Sequence, residues 1–301
     1  MLDINKLTEI CNKFGCRITP ECSLSEYVTF RFGGNCRALI SINSADSAVG
    51  ILRYLRTENI KYFVLGRGSN VIVPDEGFDG VVLLFGSDFA NIEVIGNTIK
   101  CDAGALLASA CVHAQQSGLA GMENLFGIPG TVGGALYMNA GAYDSEMADV
   151  VLSAEYIDEN CEKRFITREN MELSYRHSIF SGKNLVITSV TVGLAEGNPD
   201  IIRENMTACM NKRRSKQPLE FPSAGSTFKR PEGSYASLLI EQCGLKGLTC
   251  GGAMVSEKHS GFVINKGYAT SADVLELCGK VQQIVKEKTG YVLELEPVVL
   301  K

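Results

Sequence analysis

The sequence predicts an α+β protein with more than one domain, on three grounds. In the first third of the chain, short β-rich runs surround a single helical stretch instead of repeating in a strand–helix order. The chain has 301 residues, and single hydrophobic cores stop growing at roughly 250 to 300 residues. Residues 216–234 are rich in Pro, Gly and Ser, which is typical of a domain boundary or a functional loop.

Local patterns predict the N-terminal elements. Ser44 is a suitable N-cap for an amphipathic helix over 44–60. Gly96-Asn97 predicts a hairpin turn between two strands within 92–102. β-Branched and apolar runs predict further strands, and one more helix is expected at 105–117. These strands are 27–32, 37–42, 61–65, 71–73, 81–85, 150–158 and 185–194.

Two helices and a final strand are predicted in the C-terminal third. A polar helix is expected near 199–216. A second helix, 270–288, begins at Thr270, and Asp273 completes a capping box in which Asp replaces the usual Glu. The strand 291–300 then ends the chain.

Composition excludes several functional classes. Hydrophobic residues make up 45% and charged residues 21%, which is ordinary for a globular protein. The formal charge of −5 argues against a nucleic-acid partner. The N-terminal stretch "MLDINKLTEICNKFG" lacks the apolar run of a signal peptide, and no window is apolar enough to enter a membrane, so we expect a cytoplasmic protein.

The cysteines and histidines predict neither a metal site nor a disulfide framework. Eleven cysteines occur, an odd number with no Cys-x-x-Cys pair, and the three histidines lack the spacing of metal ligands. We therefore expect free thiols in a reducing compartment and no metal.

The stretch "VLGRGSNVIVPD", residues 64–75, contains a Gly-x-Gly after an apolar run. A dinucleotide fingerprint would need a third glycine and a helix directly behind it, whereas β-branched residues and Pro74 follow here. A tight turn and a phosphate-binding nest of backbone N–H groups, helped by Ser69 and Asn70, both remain open from this loop alone.

A second stretch, residues 121–143, is unusually rich in glycine. This composition cannot pack as an ordinary helix or strand without a large entropic cost. A flat ligand lying against bare backbone explains it, and a glycine-rich connection between domains is the alternative. The glycines are Gly121, Gly127, Gly130, Gly133, Gly134 and Gly141.

Several long motifs occur in a fixed order over most of the chain. They are "GRGSN" (66–70), "AGMENLFGIPGTVGGALYMNAGAY" (120–143), "SYRHSIF" (174–180), "PSAGSTFKRPEG" (222–233) and "GAMVSEKHSGFVINKG" (252–267). With them the chain resembles the UDP-N-acetylenolpyruvoylglucosamine reductase (MurB) family, in its compact second type. The resemblance implies an NADPH-dependent enzyme that reduces UDP-N-acetylglucosamine enolpyruvate to UDP-N-acetylmuramate through FAD, with no obligatory protein partner.

The resemblance also implies the architecture. The expected fold is a two-subdomain FAD-binding fold of the vanillyl-alcohol-oxidase/PCMH kind plus a C-terminal α+β substrate-binding domain. The subdomains would span 1–85 and 86–216, and the substrate-binding domain 217–301, whose last strand returns to the active site. The expected FAD contacts are Gly66, Arg67, Gly68, Ser69 and Asn70 for the pyrophosphate, and Gly130, Thr131, Gly133, Gly134, Asn139 and Gly141 near the flavin ring.

Three catalytic residues are carried over by motif. Arg176 would stabilise charge on the substrate carboxylate, since a guanidinium binds carboxylates in a bidentate fork. Ser226 matches the proton donor. In "LELE" the family glutamate falls on Glu296, while Glu294 stays the alternative because Pro297 departs from the family pattern and residues two apart on a strand share a face.

The resemblance further implies that Lys216 and Arg230 bind the diphosphate of the substrate, whereas His259 and Asn265 receive no role. Two other functions stay open. One is an FAD oxidase of a hydroxy acid or alcohol with the same fold; residues 62–80 and 121–143 lack the His or Cys that would hold FAD covalently. The other is a nucleotide-sugar binder without catalysis.

Overall fold

The computed structural model describes residues 2–301 and consists of helices and short strands. The helices are α1 Ile4–Lys13, α2 Ala45–Thr57, α3 Leu107–Gln116, α4 Val132–Tyr137, α5 Met147–Val150, α6 Pro199–Lys216, α7 Ala236–Gln242 and α8 Ser271–Thr289. The strands are β1 Arg17–Ser23, β2 Asn35–Ser41, β3 Tyr62–Leu65, β4 Val71–Ile72, β5 Phe78–Leu84, β6 Ile92–Ile95, β7 Thr98–Asp102, β8 Leu119–Ala120, β9 Gly141–Ala142, β10 Ser145–Glu146, β11 Val151–Ile157, β12 Lys163–Thr167, β13 Val186–Gly193, β14 Ala195–Glu196, β15 Thr249–Cys250, β16 Ala253–Val255, β17 Val263–Asn265 and β18 Val298–Val299.

The chain divides into two compact units. The first contains the chain up to Pro20, together with Arg37–Arg67 and Gly80–Lys212. The second contains Glu21–Cys36, Gly68–Asp79 and Arg213–Lys301. Two N-terminal segments thus belong to the second unit, which local sequence patterns did not reveal. The division into 1–85, 86–216 and 217–301 stays a prediction.

The first unit is built on two sheets. One has the strand order β1-β2-β5-β3, and the other is antiparallel with the order β12-β11-β13-β7-β6. The predicted Gly96 turn joins β6 to β7, and Gly96 has a left-handed φ of 57°. The core of the unit is an apolar cluster that includes Ile40, Leu52 and Val190, all fully buried.

Helices α2 and α8 begin at the capping side chains that the sequence predicted. In α2, Ser44 accepts from the N–H of Ser47, and the Ser47 hydroxyl accepts from the N–H of Ser44. In α8 of the second unit, Thr270 and Asp273 form the expected capping box. The starts of α2 and α8 were therefore readable from the sequence to within a residue, whereas α3, predicted from 105, begins at Leu107 without a side-chain cap.

The second unit packs its helices on the small antiparallel sheet β15-β16-β17. Its core includes Phe30, Ile240 and Val281, which are fully buried. The last strand, β18, pairs in parallel with β4, the strand that directly follows the glycine loop. The C-terminal end of the chain is thereby attached beside that loop.

Two predicted strands are wrong over most of their length. Residues 27–32 are irregular: Arg31 has a φ of 59°, and the Thr29 hydroxyl donates to the carbonyl of Ser223. Of 291–300, only Val298–Val299 is a strand. Pro297 has no N–H to donate, and on either side of it the chain changes partner, from Phe228 to β4.

Within residues 2–301, no helix is both long enough and apolar enough to cross a membrane. The same part of the chain holds no cluster of His, Cys, Asp or Glu suited to a metal ion. Its cysteines are free thiols; Cys250 is partly exposed and the others are buried. Burial raises the pKa of the Cys11, Cys101, Cys111 and Cys278 thiols to about 12, so these four are unreactive at neutral pH.

Candidate active site

The glycine loop 66–70 presents backbone N–H groups. Among residues 2–301, the N–H groups of Arg67 to Asn70 donate to no protein acceptor, although Gly68 is buried. Buried backbone donors are nearly always paired in native proteins. The loop therefore fits a group rich in acceptor oxygens, such as the pyrophosphate of FAD, without using the exposed Arg67 side chain.

Gly68 is required by its surroundings as well as by its conformation. Its φ is +65°, and an added Cβ would lie 2.2 Å from the carbonyl oxygen of Tyr27. The segment beside it is held in place because the N–H of Thr29 donates to the carbonyl of Gly68 at 3.2 Å. Glycine at this position thus allows the backbone of the loop to lie close to the backbone of Tyr27 and Thr29.

The structure brings the two glycine stretches together. A Cβ on Gly66 would lie 2.5 Å from Oγ1 of Thr131, which caps α4. The first N–H groups of α4 are already paired: Val132 donates to Ala105, Gly133 to Ala103 and Gly134 to Thr131 Oγ1. These donors serve the fold, and a Cβ on the buried Gly133 would lie 2.7 Å from Cβ of Ala103; the contact of this segment with a cofactor stays a prediction.

Asn139 attaches this segment to the turn that carries Arg176. The Asn139 side chain is fully buried; its Nδ2 donates to the carbonyl of Ser174 at 3.0 Å, and its Oδ1 accepts from the N–H of Ala148 at 2.9 Å. Ser174 and His177 close the turn by reciprocal backbone hydrogen bonds. Arg176, between them, has a φ of 55°, and its guanidinium carbon lies 5.1 Å from the Tyr175 ring centroid.

Gly141, the last residue assigned to the flavin region, lies in the hairpin β9–β10. A Cβ there would lie 2.5 Å from the carbonyl oxygen of Ser145. Gly130 supplies the carbonyl that accepts from the N–H of Leu107 at 3.0 Å, the first residue of α3. The close approach explains a glycine at 141, and the contact of either residue with a cofactor stays a prediction.

Ser226 and Glu296 lie on two segments that are hydrogen-bonded to each other. Phe228 and Leu295 form an antiparallel bridge; the N–H of Glu296 donates to the carbonyl of Thr227 at 3.0 Å. Both Ser226 and Glu296 are half-buried. Residues far apart in the sequence are therefore neighbours in the second unit.

The end of the glycine loop is attached to the same place. Nδ2 of Asn70 donates to the carbonyl of Glu296 at 3.3 Å, and the N–H of Val298 donates to the carbonyl of Asn70 at 2.9 Å. Asn70 thus uses its side chain and its backbone to fix the strand end that carries Glu296.

The two glutamates of "LELE" have different surroundings. The Glu294 side chain is 72% exposed, and its Oε2 lies 3.3 Å from Nζ of Lys229. Glu296 is half-buried, and its carbonyl accepts a hydrogen bond from Nδ2 of Asn70. Glu294 is therefore a solvated ion-pair partner, which favours Glu296 as the functional carboxyl.

The predicted diphosphate contacts lie at two surfaces of the second unit. Lys216 is the last residue of α6, whose C-terminal turn is fixed by Nζ of Lys258 donating to the carbonyl of Arg214 at 2.8 Å. Arg230 is exposed, and its guanidinium carbon lies 4.6 Å from the Tyr235 ring centroid. A cation at that distance is attracted by the ring face, so Tyr235 orients Arg230.

Comparisons with known proteins match both parts of the chain. Residues 36–163 match an FAD binding domain, and residues 217–300 match the C-terminal domain of UDP-N-acetylenolpyruvoylglucosamine reductase. The reductase of Clostridium perfringens is 48% identical over 93% of this chain and 91% of its own length. This chain belongs to the UDP-N-acetylenolpyruvoylglucosamine reductase family.

Other members of the reductase family agree over the full length. The reductase of Caldanaerobacter subterraneus is 45% identical, over 98% of this chain and 96% of its own. The crystal structure of the reductase (MurB) from Thermus caldophilus superposes with a TM-score of 0.81 at 34% identity, covering 95% of this chain and 99% of that one. The protein is thus an FAD-dependent oxidoreductase with the predicted FAD-binding fold and C-terminal domain.

In this reductase, two residues of the C-terminal motif without a role in the sequence stabilise the backbone of the second unit. Nδ2 of the buried Asn265 donates to the carbonyl of Phe30, and its Oδ1 accepts from the N–H groups of Gly267 and Ala269. Nδ1 of His259 accepts from the N–H of Gly261 at 3.2 Å. Both lie in "GAMVSEKHSGFVINKG", so the motif located them, but only the tertiary contacts show what they do.

Proposed function

We propose that the protein reduces UDP-N-acetylglucosamine enolpyruvate to UDP-N-acetylmuramate at the expense of NADPH, with non-covalently bound FAD. Membership of the reductase family and the FAD binding domain support the reaction class. The neighbouring placement of Ser226 and Glu296, tied to the glycine loop by Asn70, is the observation that carries the residue assignment.

The reaction makes different demands on the cofactor and on the protein. When bound, FAD supplies a hydride from N5 to the terminal vinyl carbon, which no protein side chain can do. The protein must stabilise the negative charge that develops on the carboxylate and deliver a proton to the adjacent carbon. It must also hold the substrate so that the two events occur in register.

Two side chains are assigned to the carboxylate and one to the proton. Arg176 binds the carboxylate with its permanently charged guanidinium. Ser226 donates the proton from its half-buried hydroxyl. Glu296 in its protonated form helps to polarise the substrate carboxylate.

The nucleotide half of the substrate and the cofactor need separate binding groups. Lys216 and Arg230 supply positive charge for the substrate diphosphate, and Tyr235 orients Arg230. The amides of the loop 66–70 receive the FAD pyrophosphate, whereas Thr131 and the glycines of α4 are assigned to the flavin region. The two anions thereby meet different donors.

Rapid-mixing measurements on the Ser226→Ala variant test the assignment. The flavin absorbance reports two half-reactions: bleaching by NADPH, and recovery when the enolpyruvyl sugar is added. We expect bleaching at a nearly unchanged rate and recovery slowed by about 10² to 10⁴, the range for loss of a general acid. The matched control is Ser223→Ala, three positions ahead in the same loop, whose carbonyl bond to Thr29 is retained.

If Ser226→Ala slows both half-reactions equally, Ser226 is not the proton donor. If the unaltered protein is bleached by NADPH but its absorbance never recovers faster with the enolpyruvyl sugar than with buffer, the proposed substrate is wrong.

A further inference from the structure

Thr227, next to Ser226, ties three segments of the second unit together. Its side chain is 1% exposed. Its N–H donates to the carbonyl of Gly261 at 2.8 Å, its Oγ1 accepts from the N–H of Val263 at 2.8 Å, and its carbonyl accepts from the N–H of Glu296 at 3.0 Å. All polar atoms that Thr227 can offer to a neighbour are therefore engaged, each with a different residue.

The turn on which Thr227 rests is held by its own contacts. Oγ of Ser256 accepts from the N–H groups of Lys258 and His259, both at 3.2 Å, and the N–H of Ser256 donates to the carbonyl of Phe262 at 2.8 Å. A Cβ on Gly261 would lie 3.1 Å from the His259 ring, so the turn closes tightly. Thr227 is thus anchored to a rigid support.

Two of the three bonds of Thr227 act on the backbone beside the proposed catalytic residues, and the third, from the hydroxyl, ties Thr227 to Val263. Its N–H belongs to the peptide group that follows Ser226, so the bond to Gly261 fixes the backbone of the proton donor. Its carbonyl holds the peptide group that precedes Glu296. A displacement of about 1 Å can cost roughly 10²-fold in rate, so the position of this one residue affects catalysis.

We propose that Thr227 is a positioning residue whose hydroxyl, by accepting the N–H of Val263, holds Ser226 and Glu296 in register for proton delivery. The proposal rests on the proposed function of those two residues. A valine in its place would keep the shape but leave the N–H of Val263, itself 1% exposed, without its acceptor. The turn and the Ser226 segment would then be joined only by the bond from the N–H of Thr227 to the carbonyl of Gly261.

The test uses the FAD-loaded protein and compares Thr227→Val with Thr227→Ser. For Thr227→Val we expect recovery of the flavin absorbance by the enolpyruvyl sugar to slow by roughly 10- to 100-fold, with bleaching by NADPH nearly unchanged. The solvent deuterium isotope effect on recovery should rise, because proton delivery then limits the rate. Thr227→Ser keeps the acceptor oxygen and should restore most of the rate.

Two further variants make the result decisive. Thr188→Val, the same substitution at a buried threonine of β13 in the first unit, should leave both half-reactions unchanged. Thr227→Cys keeps the volume and a weak acceptor, so it should give an intermediate rate; it replaces Thr227→Val in the comparison if that variant does not fold.

A wild-type recovery rate in Thr227→Val, or in Thr227→Cys where that variant is used, would overturn the proposal. An equal loss in both half-reactions, or a Thr227→Ser variant as slow as Thr227→Val, would also overturn it. Ser226→Ala, measured in parallel, separates the two claims. If it abolishes recovery while Thr227→Val does not slow it, only the positioning role fails.

Discussion

At the scale of single residues, surroundings distinguish side chains of the same type. Glu294 and Glu296 are two positions apart and are chemically identical. Glu294 is largely exposed and pairs with Lys229, whereas Glu296 is half-buried and its carbonyl accepts from the Asn70 side chain. An exposed ion pair of this kind contributes little to stability. The sequence pattern alone could not separate the two carboxyls.

Substitution of the two glutamates should therefore have unequal effects. Glu296→Gln removes the ionisable proton and should slow recovery of the flavin absorbance by the enolpyruvyl sugar by about 10²-fold or more. Glu294→Gln breaks only the exposed pair with Lys229 and should keep nearly the full rate. Rapid mixing measures both. If Glu294→Gln is the slower variant, the register of "LELE" is wrong.

His259 makes a pH-dependent contribution to stability. Burial lowers the pKa of the His259 imidazole below its usual value of 6.5; a backbone hydrogen bond opposes this shift in part, and the charges of Lys246 and Lys216 add to it while that of Glu241 opposes it. The neutral ring is the form that accepts from the N–H of Gly261 at Nδ1. Protonation in the folded state would remove that acceptor.

The direction of the effect follows from proton uptake by the two states. As pH falls below about 6.5, the unfolded chain takes up a proton at His259 that the folded protein still excludes, so stability is lost. Between about pH 7 and pH 5, the free energy of unfolding should fall more steeply for the unaltered protein than for His259→Gln. Urea titrations at each pH measure this difference. Parallel curves would show that His259 is not shifted.

At the scale of elements, local signals predicted helix starts and one turn. The Thr270 and Asp273 capping box and the Gly96 hairpin depend on residues within a few positions of each other, and both were predicted. The segments 27–32 and 291–300 were wrongly predicted as strands, because their partners lie far away in the sequence: the Thr29 hydroxyl donates to the carbonyl of Ser223, and Leu295 forms a bridge with Phe228. β-Propensity reports how a side chain fits a sheet and cannot reveal such partners.

The glycine loop is an element whose backbone defines its function. Gly68→Ala would place a Cβ 2.2 Å from the carbonyl of Tyr27 at a φ of +65°, so the loop must shift. We expect a loss of at least about tenfold in FAD affinity, equivalent to 1.4 kcal/mol, measured by flavin fluorescence titration. Gly96→Ala is the control: its φ is +57°, but nothing lies within 4 Å of the added Cβ.

Unchanged FAD affinity in Gly68→Ala would contradict the pyrophosphate role of the loop. Equal losses of affinity in Gly68→Ala and Gly96→Ala would trace the effect to general backbone strain and not to this loop.

At the scale of the whole molecule, the sequence predicted the reaction class better than the arrangement of the chain. The motifs were sufficient to predict the FAD-binding fold and the reductase family, and the relatives confirm both predictions. The assignment of Glu21–Cys36 and Gly68–Asp79 to the second unit had no local signal. Thr227 was also missed, since a threonine in "GSTF" looks like any turn residue until its three partners are known.

We expect electrons from NADPH to reach the enolpyruvyl sugar only through FAD on this protein. The most direct measurement is NADPH absorbance in a mixture of purified protein, FAD and UDP-N-acetylglucosamine enolpyruvate under anaerobic conditions. We expect consumption of one NADPH for each molecule of sugar converted, no consumption when FAD is omitted, and only the single equivalent that reduces the bound FAD when the sugar is omitted. Consumption of NADPH at the same rate with and without the sugar would contradict it.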